Sequence, residues 1–319
     1  MKTLKKLTKR NETGILVPLV LLWLITYAAN HAFFGASNMI SLFRSVSISL
    51  LGAVGASFVF SCGMMDVSAG AVYGLAGMIT ALCMKNVGLP VVVSILLGLL
   101  SAAAIGLLNG LIINQLDIPA FIATLGTSYI ARGIVNVVSK GSSVTGLPDS
   151  FNAIGDFGPF HIPWSVYIAI VVVVIAWFVF KYTIFGRSLL AAGGNAETAR
   201  VCGLNIKRLR LCAFIILALL DGLAGILSTA RLATAQASAG TGWEMTVIAA
   251  TVIGGVSMYG GSLSIPGVVI GVTIMETLTV SMTMLKVNAY WQKIVVGAII
   301  IFAVGIDTYR RKQLSSGKE

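Results

Sequence analysis

The sequence predicts an all-α polytopic membrane protein of about ten transmembrane helices, with both termini cytoplasmic. Of 319 residues, 57% are hydrophobic and only 10% charged, against about 25% charged in an ordinary soluble domain. A soluble fold of this size has no core large enough to hide that much apolar surface. The apolar runs are also long and unbroken, as at 168–180 and 295–304. Lipid admits only helices and closed barrels, because backbone polar groups find no water there, and a barrel needs short alternating strands instead. Finally, the basic residues collect in short polar pieces between the runs, as membrane topology demands.

A helix rises 1.5 Å per residue, so a crossing takes about 20 residues. The apolar runs predict spans at 14–34, 44–63, 67–84, 90–113 and 119–138, then 164–182, 211–230, 244–258, 265–284 and 289–306. A basic tail, 1–13, precedes the first; its Lys2, Lys5, Lys6, Lys9 and Arg10 resemble the start of a signal peptide. The run that follows is long enough to cross, and it is read as a retained first helix. Residues 139–163, rich in Gly, Ser, Asp and Pro, form an expected external loop. Residues 183–210 form a cytoplasmic loop, and 307–319 a cytoplasmic tail. The whole chain, 1–319, reads as one transmembrane domain. Small residues crowd the spans, as in Gly52-Ala53-Val54-Gly55-Ala56-Ser57, a packing signal for helices in lipid. Two Gly/Ser-rich interruptions, 63–70 and 254–267, join pairs of apolar runs and hint at a faint internal repeat.

An even number of spans puts both termini on one side. The pieces then assigned to the cytoplasm hold fifteen Lys and Arg, and the opposite side holds five, the bias expected of a multi-pass protein of the inner membrane surrounded by lipid. The net charge of +11 is therefore a matter of topology, and no continuous basic stripe marks a nucleic-acid partner. Cys62, Cys83, Cys202 and Cys212 form no CxxC pair, and His31 and His161 are the only histidines. Neither a zinc site nor a histidine-based triad has enough material. Gly255 to Gly260 have the glycine spacing of a phosphate loop, yet Gly261 stands where the lysine must be. Gly-x-Ser-Gly, His-Glu-x-x-His and Gly-x-Gly-Asp are absent. The chain is expected to catalyse nothing and to bind no cofactor or metal itself. Asp66, Asp221, Glu244 and Glu276 lie in or beside spans, where acids commonly relay ions; with Arg132 and Lys293 as the deep bases, they keep an ion-coupled secondary transporter open as the alternative.

The segment from Gly186 to Asn205 is the most informative. Asn195 suits a helix N-cap, Glu197 favours the positive end of the dipole, and Gly203 suits a C-terminal stop. A two-turn helix at 196–202 follows, lying outside the membrane. Ala196 and Ala199 share a face with Gly203 that is small enough to seat in a partner groove, with Glu197 and Arg200 as edge contacts.

The Gly186, Arg187, Ala191, Gly193, Gly194, Asn195 and Gly203 pattern resembles the cytoplasmic coupling loop of ribose-type permeases of ABC importers. Gly63-Met64-Met65-Asp66-Val67-Ser68-Ala69-Gly70 is similar to another element of that family, as are Asn109-Gly110, Phe121-Ile122-Ala123-Thr124-Leu125-Gly126, Ala239-Gly240-Thr241-Gly242-Trp243-Glu244 and the run from Gly260 to Gly267. The matches fall in the family's order over nearly the whole chain. Departures are Leu204 for Ile, Thr246 for Asp and Leu263 for Gly. The resemblance implies sugar import: an extracytoplasmic sugar-binding protein delivers substrate to a permease pair, with two copies of this chain expected. A separate ABC ATPase, using ATP and Mg, drives the cycle. It further implies that Gly186, Arg187, Gly194, Asn195, Glu197, Ala199, Arg200 and Gly203 couple to the ATPase. Asp66, Asn109, Phe121 and Glu244 are the expected pathway residues.

Overall fold

The computed structural model describes residues 11–316; the basic residues expected to anchor the tails within 1–10 and 317–319 lie outside them. Ten principal helices account for the apolar runs. They are α1 (Asn11–Ala29), α2 (Ala36–Ser61), α3 (Ala69–Lys85), α4 (Val91–Leu116) and α5 (Ala120–Ser139). After a short α6 (Asp149–Asn152) come α7 (Trp164–Tyr182), α8 (Ile184–Gly194), the small α9 (Ala196–Val201) and α10 (Ile206–Leu232). The chain ends in α11 (Trp243–Ile253), α12 (Ile265–Met284) and α13 (Ala289–Ser316). Among the described residues six helices are long and apolar enough to cross a membrane: α2, α4, α5, α7, α10 and α12. Four shorter apolar helices, Ile15–Ala29, Ala69–Lys85, Trp243–Ile253 and Ala289–Gly305, complete the apolar set.

The helix ends depart from the expected spans for local reasons. The first run stops at Ala29, and Asn30 caps a 3-10 turn, His31–Phe34, by accepting from the Ala32 N–H at 3.0 Å. α2 begins eight residues earlier than expected, at Ala36 instead of Arg44. α10 begins at Ile206 because Asn205 caps it. The expected eighth span, 244–258, is an 11-residue helix, about 16 Å long, and too short to cross by itself. Gly255 ends it with φ of 86°, a left-handed conformation that a residue with a Cβ resists. Its N–H and that of Val256 return to the Val252 and Thr251 carbonyls, a closure that satisfies the last free carbonyls of a helix. Gly63, with φ of 70°, ends α2 in the same way, its N–H and that of Met64 reaching the Phe60 and Val59 carbonyls.

From Val46 to Ser61 α2 is buried without interruption, the mark of a central helix. It packs on α10, α7, α12 and α11, and α10 packs in turn on α4 and α3. The α4–α10 seam is set by missing side chains. A Cβ on Gly106 would come within 2.6 Å of the Phe214 carbonyl, and one on Gly222 within 2.6 Å of Ala102 Cβ. With no hydrophobic drive between helices in lipid, this close approach supplies the dispersion that holds them. Hydroxyls add polar glue: Trp23 donates to Thr277 at 3.2 Å and Thr26 meets Ser281 at 2.8 Å, joining α1 to α12.

The polar stretch 139–163 is an ordered cap. Val144–Thr145 pairs antiparallel with Thr234–Ala235, Phe151 is wholly buried beside Met78 and Ala230, and Gly155 lies against the backbone of Ala230 and Arg231.

Gly106→Val should lower the thermal midpoint of the detergent-solubilised protein, because overpacking a tight seam costs about 1–3 kcal/mol. Gly126→Val, on an open face of α5, should leave it unchanged. Equal midpoints for the two variants, read by fluorescence-detected gel filtration after heating, would remove the seam from the account.

Candidate functional site

The segment 183–205 is folded as two helices. Thr183 caps α8 by accepting from the Gly186 N–H at 3.2 Å. Gly186 packs so close to the backbone of Val179 and Phe180 that a side chain would collide, which turns α8 back against the end of α7. Asn195 caps α9, accepting from the Thr198 N–H at 3.0 Å. Gly203, with φ of 85°, closes α9 with its own N–H on the Arg200 carbonyl and the Leu204 N–H on that of Ala199. The expected cap, helix and stop are all present.

The expected docking face is not. Ala199 is 5% exposed and packs with Ala192 and Ile206, so the small face is the one that seats α9 on its own chain. The reason is volume: only a methyl group fits between α8 and the start of α10. The outward face carries Glu197, Thr198, Arg200, Val201 and Cys202. Val201 is 87% exposed, and Glu197 and Arg200 form an exposed ion pair at 3.6 Å. Arg187, Gly194 and Asn195 are exposed alongside.

Beneath α9, three chain segments meet backbone to backbone. A Cβ on Gly193 would overlap the Ser61 carbonyl and come within 2.8 Å of the Gly261 nitrogen and 2.9 Å of Gly260 Cα. One on Gly260 would come within 2.7 Å of the Gly63 nitrogen. The Gly261 N–H points at the Ser61 carbonyl, 3.4 Å away. The end of α8 thus touches both Gly-rich interruptions at once. The second of these is tied to α13, where Ser257 donates to Asp307 at 3.1 Å.

The first interruption, 62–68, is held from within. Asp66 Oδ1 accepts from the Ser68 N–H and, at 2.6 Å, from its hydroxyl, a local turn that acidic side chains favour. Asn109 of α4 donates to Ser68 Oγ at 3.0 Å and to Asp66 Oδ2 at 3.3 Å, and accepts from Thr127 of α5 at 2.6 Å. The Val67 N–H finds Thr124 Oγ1 at 3.2 Å. Asp66 and Asn109 are both buried, and together they hold the chain's non-helical stretch.

Glu244 belongs to a second cluster. It stands in the first turn of α11, and a Cβ on Gly70 would collide with it and with the Gly240 carbonyl. Arg132 of α5 closes this junction, donating from Nη2 to the Gly70 carbonyl at 2.9 Å and from Nη1 to that of Ala239. Arg132 lies about 10 Å inside the end of α5. The non-helical 233–242 segment therefore packs on the first turns of α3, directly after the 62–68 stretch. Irregular backbone is tolerated there only when protein or a cavity satisfies it. Phe121 joins neither cluster: it is 48% exposed on α5.

Sequence reading assigned Arg132 only as a deep base for an ion-coupled carrier. Its guanidinium donates to two backbone carbonyls and lies near enough to Glu244 for the two charges to attract. Asp221 is 1% exposed with neither carboxyl oxygen hydrogen-bonded, Glu276 accepts from Ser49 at 2.6 Å, and Lys293 is exposed. Among the described residues no deep acid stands within ion-pair distance of a deep base, Arg132 and Glu244 interacting at longer range, and no group of three or more His, Cys, Asp or Glu is placed to hold a metal.

Residues 38–304 match the family described as the permease component of a branched-chain amino acid transport system. The chain is 34% identical over 306 residues to the ribose import permease protein RbsC of Escherichia coli (strain K12), covering 94% of each. It is 37% identical over 277 residues to the D-allose transport system permease protein AlsC of the same organism, covering 86% of this chain and 84% of that one. It is 31% identical over 303 residues to the L-arabinose ABC transporter permease protein AraH of Azospirillum brasilense, covering 95% and 89%. No solved structure matches. The chain belongs to this permease family, among its sugar-type ABC importer members, and is a multi-pass inner-membrane protein.

Asn109→Leu should destabilise the solubilised protein by about 2–4 kcal/mol, since it leaves buried partners on two other segments unsatisfied. Phe121→Ala, on the exposed face, should cost under about 1 kcal/mol. A melting curve for Asn109→Leu that overlays the parent would dismiss the network as the brace of the 62–68 segment.

Proposed function

We propose that this permease-family chain forms, as one of two copies, the path of a small sugar across the inner membrane, and that a separate ABC ATPase drives it through α9. An extracytoplasmic sugar-binding protein delivers the solute on the opposite side. The four shorter apolar helices, counted with the six long ones, make ten crossings, α11 with the 254–264 loop serving as one of them. Both termini are then cytoplasmic, in keeping with fifteen basic residues on that side against five on the other. The relatives named above are named for ribose, allose and arabinose, which supports a monosaccharide-sized polar solute.

The observation that carries the reading is the construction beneath α9. A force transmitter must be stiff and must touch the elements whose arrangement differs between two states. α9 is capped at both ends and seated through Ala199. In the last turn of the α8 that leads into it, Gly193 lies against the end of α2 and the loop after α11. Displacement of α9 by closing ATPase domains would reach the helix breaks with no flexible linker between. The outward Val201, flanked by the Glu197 and Arg200 ion pair, is the proposed contact. Arg187, Gly194 and Asn195 form its margin, while Gly186 and Gly203 set the path of the backbone.

The reading is tested with the chain, its ATPase and the sugar-loaded binding protein in liposomes. Sugar uptake and ATP hydrolysis are expected together; uptake that needs an ion gradient and no ATPase would replace the proposal with a secondary carrier. In the working assembly, Val201→Asp should lower ATPase association and uptake at least tenfold while the melting point of the solubilised chain is unchanged. Ala199→Trp should lower that melting point as well, because it strikes the seat of α9. Gly193→Val should spare ATPase association yet lose uptake. Full uptake by Gly193→Val would show that the glycine junction carries no motion.

A further inference from the structure

At the end of the bundle opposite α9, the start of α2, the end of α10 and the 156–163 loop border an open cavity of about 400 Å³ lined by Ser37, Ile40, Ser41, Arg44, Phe157 and Arg231. Two guanidinium groups share it. Neither has a carboxylate within ion-pair distance among the described residues, Glu276 acting on Arg231 only at longer range. Arg44 lies over the Phe157 ring, 4.4 Å from its centroid, and its buried Nε has no hydrogen-bond partner. Arg231 has only a long 3.5 Å approach to Ser45. Placing two like charges in one small cavity, with donor capacity unused, is costly unless an anion joins them. The first turn of α2, which supplies Ser37, adds the positive end of a 26-residue helix.

We propose that this cavity binds an anionic phosphate group, either that of an anionic phospholipid or free inorganic phosphate. Planar guanidinium forks match phosphate oxygens two at a time, and Ser37 and Ser41 supply further donors. The surroundings favour the lipid source. Phe43 and Phe34 are exposed on and beside the same end of α2, and Phe160 and Trp164 are exposed in and after the loop that borders the cavity. Exposed aromatic side chains of this kind gather at the level of lipid headgroups. A headgroup in the cavity would leave its acyl chains against Phe43 and the apolar surface below.

Native mass spectrometry of the full chain, released from detergent with added phosphatidylglycerol or phosphatidylethanolamine, tests this. Phosphatidylglycerol should be retained in preference, and millimolar inorganic phosphate should displace it. Arg44→Gln and Arg231→Gln should each weaken retention about tenfold, the loss of one charge-assisted hydrogen bond; Arg44→Lys and Arg231→Lys should lose less, and Lys140→Gln, outside the cavity, nothing. Phosphate binding without lipid preference would support the site and assign it to the free ion. Should the Gln variants not insert, phosphate competition on the unsubstituted chain decides alone. The proposal is overturned if neither phosphate species is held, if the Gln variants bind as the parent does, or if the arginines engage only an acidic protein surface.

Discussion

Every backbone amide and carbonyl that leaves a helix inside this bundle must find a partner from the protein, because lipid offers none. That constraint organises the molecule. The 62–68 segment gives up helical hydrogen bonds, and Asp66 and Thr124 take two of its free N–H groups while Asn109 of α4 and Thr127 of α5 fix the Asp66 and Ser68 side chains. Where the 233–242 segment enters from the other end, Arg132 covers two carbonyls at once. Neither segment could remain in place if its brace were apolar. The helices that carry these braces, α4 and α5, are in consequence fixed relative to the breaks.

The same constraint explains how a small helix outside the membrane can act on the interior. Three glycines allow α8, α2 and the loop after α11 to meet without side chains between them. Backbone contact is stiff, since interiors at close packing respond to displacement as a whole. The unit beneath α9 therefore joins the proposed ATPase contact to both irregular segments by the shortest route that the covalent chain permits.

Phosphate binding at the far end and ATPase coupling at the near end would divide the bundle's labour along its axis. α2 begins at the arginine cavity and ends at the glycine junction, so a single central helix connects the two. Its uninterrupted burial from Val46 to Ser61 means that the end at the glycine junction does not shift without its neighbours.

The sequence by itself determined the class of the fold, the order of the apolar runs and the capped helix α9, because each rests on a local rule: run length, Asn195 at a cap, Gly203 at a stop. The resemblance likewise rested on ordered short motifs. Asp66 and Asn109 were legible as polar residues beside apolar runs, but not as members of one network, since 43 residues separate them. Only tertiary structure decided that Ala199 faces inward, that Glu244 and Phe121 lie apart from Asp66, that α11 stops halfway, and that Arg132 donates to two backbone carbonyls beside Glu244. A side chain's neighbours in a helical bundle come from other helices, and periodicity along one chain segment carries no record of which helix will arrive or at what depth.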